Sequence, residues 1–176
     1  EKTGVYVSVV TTATPLEIFE DEYTKTSMIL NYKKTTLDLE NDTIFAYEFT
    51  EKVFSDENSV LESNGVKWNL NVVWGTAETS YTFDSQNGRG QQIGSSKKPA
   101  TSFTLTTESA VNGIKSLELN ASGASGTDAS VTVTVGGVQL GQTVSLTSSA
   151  TVYRFASETE LSGVVEITYT QTSSKA

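Results

Sequence analysis

The chain has 176 residues, a formal net charge of −9, two prolines, one methionine, and neither histidine nor cysteine. That length suits one domain with a core large enough to stand without disulfides or a metal. The missing residue types remove every Ser-His-Asp and Cys-His nucleophile and the ordinary zinc, copper, haem and iron–sulfur sites. The acidic balance excludes a nucleic acid held through its phosphates. No apolar run approaches the roughly 18 residues of a membrane span, so no membrane insertion is expected, and no signal peptide is visible.

Charge is unevenly distributed along the chain. Residues 1–66 hold 13 acidic against 5 basic side chains, whereas residues 67–176 hold 8 against 7. The reading is a single β-domain over 1–176 whose first third presents a solvated acidic face. Residues 1–14 form its N-terminal strand and linker, and the polar run Ser55-Asp56-Glu57-Asn58-Ser59 marks an alternative boundary near 55–64.

Gly4 to Val10 (GVYVSVV) opens the chain as a β-branched strand, with Val5, Val7 and Val9 on one face and Tyr6, Ser8 and Val10 on the other. Pro15 to Tyr23 (PLEIFEDEY) is the one stretch that competes for a short helix, with proline at a permitted first-turn position and acids near the positive end. Thr43 to Thr50 alternates as a half-buried strand. Val66 to Trp74 has a clean two-residue period that sets Val66, Trp68, Leu70, Val72 and Trp74 on one face. Thr101 to Thr107, Ile114 to Ala121, Ser130 to Val135, Thr143 to Thr147, Thr151 to Phe155 and Val164 to Thr172 follow the same rule. Gly136-Gly137 supplies the positive-φ pair of a tight hairpin after Val135. Many short strands separated by turn signals define an all-β chain, read as an antiparallel two-sheet β-sandwich of jelly-roll type. Its core is expected to contain Trp68, Leu70, Val131, Val133, Val135 and Ile167.

Composition also bears on compartment. Serine and threonine make up 49 of the 176 residues, while charged residues make up 19%, below the roughly 25% of average soluble domains. A thiol-free, hydroxyl-rich strand protein fits an extracellular or cell-surface setting.

Ser85 to Pro99 (SQNGRGQQIGSSKKP) is the most unusual stretch. Its glycines permit tight turns around Arg89, Gln91 and Gln92, a dense set of planar hydrogen-bonding groups. Two readings stand: a polar ligand loop, or a turn whose arginine and glutamines satisfy buried backbone. It opens no helix and follows no βαβ pattern, so it is not a nucleotide loop. Trp74, at a strand end beside Gly75, and Tyr81, after a polar turn, are the aromatics placed to offer a flat platform for a sugar ring. Carboxylates are the main acid–base groups left, and their runs read as solvated charge rather than a catalytic pair, so no enzyme activity is expected. No cofactor is implied. A structural calcium has Asp84 and Asp128 as nominal ligands, without EF-hand spacing.

From about Gly65 onward the chain resembles a family of β-sandwich modules in secreted and surface proteins of Firmicutes and related bacteria, some appended to extracellular nucleases. The resemblance rests on Val66-Lys67-Trp68, on the run from Gly88 to Ala100 (GRGQQIGSSKKPA), on Gly113 to Leu117, on Ser130 to Gly137 and on Ile167 to Ala176. It covers about 110 residues and implies a carbohydrate-binding-type jelly roll without specifying a ligand. The family pattern runs on past Ser-Ser-Lys-Ala into one more apolar strand. The expectation here is that Gly4–Val10 takes that strand's place, through Val5, Tyr6, Val7 and Val9, either within its own chain or in the next copy.

The leading functional expectation is a non-enzymatic binding or adhesion module for a glycan or surface ligand. The alternative is a filament subunit, a homo-oligomer built by strand addition.

Overall fold

The computed structural model describes residues 4–8, 43–76, 83–84 and 90–172. In chain order its strands are β1 (Gly4–Ser8), β2 (Thr43–Glu48), β3 (Val60–Ser63), β4 (Val66–Trp74), β5 (Phe83–Asp84), β6 (Gln92–Ile93) and β7 (Ala100–Thr107). There follow β8 (Val111–Ala121), β9 (Ser130–Val135), β10 (Val138–Gln139), β11 (Val144–Ser145), β12 (Thr151–Gly163) and β13 (Val165–Thr170). The fold is all-β. Among the described residues there is no helix, and the helix expected at 15–23 lies outside them.

All pairings are antiparallel. One sheet has the order β12-β8-β1-β2; a larger one has β10-β9-β13-β7-β4-β3, with β11 also paired to β9; β5 and β6 form a separate pair. The predicted alternation of β4 decides the inner face of the large sheet. Leu70 stands opposite Leu105, Leu105 opposite Ile167, and Ile167 opposite Val133. All four are at most 7% exposed, so one row of apolar side chains crosses four strands. Each such side chain contributes roughly 1.5–3 kcal/mol of burial. The six residues expected in the core are all buried.

The smaller sheet supplies the second set of core residues. Phe155, Leu117 and Phe45 are buried, and they share one register row through Val7, which pairs with Leu117 on one side and Phe45 on the other. Phe45 reaches Trp68 of the large sheet, ring centroids 5.4 Å apart. Between β2 and β3 the chain brings Phe54 into the same cluster, with Phe49 at 6.1 Å. β1 therefore lies inside a sheet of its own chain and is hydrogen-bonded along both edges. Val5, Tyr6 and Val7 belong to it, while Val9 lies outside the described residues.

The nine expected strands are all present, β4 and β9 with the expected ends and the others with shifted ones; β10 is the return strand of the expected hairpin, and β3, β5 and β6 were not foreseen. β12 runs on to Gly163, well past Phe155, with register slips between Ala156 and Leu161 and again before Gly163. A slip of this kind breaks the two-residue period that makes a strand readable. The Gly136-Gly137 hairpin forms as expected, with φ of 58° and 80°. Gly136 has a second duty there. A Cβ on it would meet Ser162 O at 2.5 Å, and one on Gly163 would meet Gly136 Cα at 2.4 Å, so two backbones touch where only glycine fits.

Candidate functional site

The end of β4 builds the most chemically varied corner among the described residues. β4 and β7 pair regularly up to Val73 opposite Ser102, then slip by one so that Trp74 faces Ala100. Thr101 Oγ1 donates to Val73 O at 3.1 Å and Gly75 N to Pro99 O at 2.8 Å, fixing the strand end against the loop before β7. Trp74 is half-buried. Phe83 of β5 meets it edge-on, centroids 5.6 Å apart and planes at 86°. Lys98 Nζ lies over the indole, 4.9 Å from the ring centroid.

The glycine-rich run delivers these groups. Gly94, at φ 88°, passes so close to β7 that a Cβ would lie 2.8 Å from Ala100 N. Ser95 N then donates to Lys98 O, and Lys98 N to Ser95 Oγ, in a tight turn that presents Lys97 and Lys98. β6 pairs with β5 so that Ile93 faces Phe83 and Gln92 faces Asp84. Gln92 thus lies on the strand pair whose Phe83 meets Trp74. Gln92 is exposed, and its Nε2 donates to Gly94 O at 2.8 Å, which leaves Oε1 to accept from outside.

Gln91 plays a different part from its neighbour. Its Oε1 accepts from both Val53 N and Phe54 N at 2.8 Å, while Nε2 donates to Phe54 O and Gln92 O. The amide is thus occupied in clamping the segment that buries Phe54 to the start of β6. Among the glutamines, the reading of a side chain that satisfies backbone describes Gln91, and an outward-facing polar group describes Gln92. Arg89 and Tyr81 lie outside the described residues. Sequence reasoning missed Phe83 and Lys98. Phe83 could have been found from the alternation of Tyr81 and Phe83, and Lys98 from its place immediately before Pro99 in a loop already singled out.

Elsewhere, Asp128 binds Thr172 through backbone N–H at 2.9 Å and through the hydroxyl. Burial and then the Asp128 charge raise the Tyr169 hydroxyl above its ordinary value of 10.0, and Tyr47 is raised by burial and by Glu51. Among the described residues, no three of His, Cys, Asp and Glu group closely enough to hold a metal ion, and no helix is long and apolar enough to cross a membrane.

No protein-family model, no curated protein and no solved structure matches the chain.

Proposed function

We propose that the protein is a non-enzymatic binding module of the extracellular or cell-surface space, with its two larger sheets packed as a jelly-roll β-sandwich and a glycan-binding corner at the end of β4. The observation that carries this reading is the Trp74–Phe83–Lys98 arrangement. A half-exposed indole stiffened by an edge-on phenyl ring suits the C–H face of a sugar, and the exposed Gln92 of the adjoining strand pair offers an amide oxygen for hydroxyls. Around it Ser95, Thr101 and Gln92 bond to backbone and so fix the loop against the strand end. The hydroxyl-rich, cysteine-free composition supports the compartment.

Glycan-array binding of the full chain against Trp74→Ala tests the reading. The expected result is binding by the parent and its loss in the variant, with the melting temperature nearly unchanged. Binding that survives Trp74→Ala would remove this corner as the site.

A second reading, a filament subunit assembled by strand addition, is favoured by one feature. β1 is a five-residue insert with a complete hydrogen-bonded slot between β8 and β2, and the same slot would accept β1 of another copy. Size-exclusion chromatography with light scattering over a range of concentrations separates the two. Concentration-dependent growth that added Gly4–Val10 peptide halts favours strand addition, and a monomer at all concentrations opposes it.

A further inference from the structure

Lys98 carries a positive charge to this corner without an ion pair to a described carboxylate. Among the described residues the ion pairs are Lys67–Glu108 and Arg154–Glu118, and Lys98 belongs to neither. Acidic residues outnumber basic ones 21 to 12, so a half-buried lysine whose ammonium rests on an indole instead is a departure from the rest of the surface. The placement is built into the backbone: the Ser95–Lys98 turn fixes its Cα, and the Gly75 N–Pro99 O bond fixes the turn against β4. An ammonium over a ring at a partly exposed site is held by only about 0.5–1 kcal/mol. It can therefore be drawn aside by any stronger partner. A charge-assisted hydrogen bond to an anion is such a partner, roughly twice as strong as a neutral one.

We propose, on the glycan-binding reading above, that the corner selects a pyranose ring bearing an anionic group, either the carboxylate of a uronic acid or a sulfate ester. The C–H face of the ring lies on Trp74 and the anion takes Lys98 Nζ. The two contacts are linked. A neutral sugar leaves the ammonium on the indole, where it competes for the platform, whereas an anionic sugar pulls it off and pairs with it. A bare anion gains the ammonium alone and leaves the indole uncovered, so ring and charge are both required.

Isothermal titration calorimetry of the full chain with an oligogalacturonate, a sulfated oligosaccharide and a neutral cello-oligosaccharide of equal length tests this. The expected result is that one or both anionic ligands bind roughly tenfold or more tighter than the neutral one, the margin shrinking with added salt. Lys98→Gln should remove that margin without weakening the neutral ligand, and Lys98→Arg should keep most of it. Tighter binding by the oligogalacturonate identifies the carboxylate, and tighter binding by the sulfated ligand the ester. Equal affinities for all three, or a margin indifferent to Lys98→Gln, would overturn the selection while leaving the glycan reading in place if Trp74→Ala still abolishes binding. If none of the three binds, or if Trp74→Ala changes nothing, the glycan reading falls and the selection with it.

Discussion

Trp68 and Trp74 stand six residues apart on the same face of the same strand, yet they end in different surroundings. Trp68 is 1% exposed and lies against Phe45 of the other large sheet, with no protein acceptor for its Nε1–H. Trp74, at the strand end, has a phenyl edge and a lysine for neighbours and remains half-buried. The alternation of β4 assigns both to the inner face. What separates them is their neighbours: Phe45 of the smaller sheet covers Trp68, whereas Trp74 meets Phe83 and Lys98. A strand's middle makes core from its inward residues, and its end makes a rim where an inward residue is still reachable from outside.

The largest expected effects sit on the covered side of that contrast. Trp68→Ala should cost about 3–5 kcal/mol in denaturant unfolding. Trp68→Phe should cost clearly less, because it keeps the contact with Phe45 and removes a buried donor without an acceptor. A loss below about 1 kcal/mol for Trp68→Ala would place Trp68 at a rim as well, and the comparison would collapse. Next in size come two positions where backbone needs a particular neighbour. Gln91→Ala leaves Val53 N and Phe54 N without their acceptor and should cost about 1–3 kcal/mol, whereas Gln92→Ala should change stability by less than about 0.5 kcal/mol. Equal effects in thermal melts would show that the two amides are not divided between clamp and surface. Gly136→Ala should cost about 1–3 kcal/mol or more, from a positive φ and a collision with Ser162 O. An unchanged melting temperature would mean that β12 does not cross the hairpin so closely.

A smaller effect depends on pH. The Tyr169 hydroxyl titrates above its ordinary value in the folded chain, so above about pH 10 the unfolded chain loses its proton first. The corresponding stability is complete below pH 10 and declines as pH rises through the folded value. Urea midpoints between pH 9 and 11 should fall for the parent and fall less steeply for Tyr169→Phe; parallel profiles would contradict the assignment. A small effect also belongs to the exposed Lys67–Glu108 pair at 3.1 Å, where Lys67→Ala should move stability by less than about 1 kcal/mol in denaturant unfolding.

The strands and the core were legible because their signal is local. Val131, Val133 and Val135 alternate with threonine, Gly136-Gly137 closes a hairpin, and every valine of the row is buried. β3 was missed although Asn64-Gly65, at φ 52° and 74°, is the residue pair a tight hairpin prefers; the four-residue strand before it is too short to show a period. The site was only half legible. Its glycine-rich loop and Trp74 could be singled out from sequence, because unusual residues announce themselves. The division of labour between Gln91 and Gln92 could not, since it depends on Phe54 arriving from another part of the chain to present its backbone. Nor could the seat of Lys98, which the register slip at Val73 and the turn at Ser95 jointly determine.

The chain has two tryptophans, so one spectrum reads the central contrast directly. In a ¹H–¹⁵N correlation spectrum each indole N–H gives one signal, assignable by Trp74→Phe. Titration with the glycan that the array or calorimetry selects should shift the Trp74 signal progressively and leave that of Trp68 in place. A Trp74 signal that stays fixed while the ligand saturates the protein would contradict the account, and so would equal shifts of both.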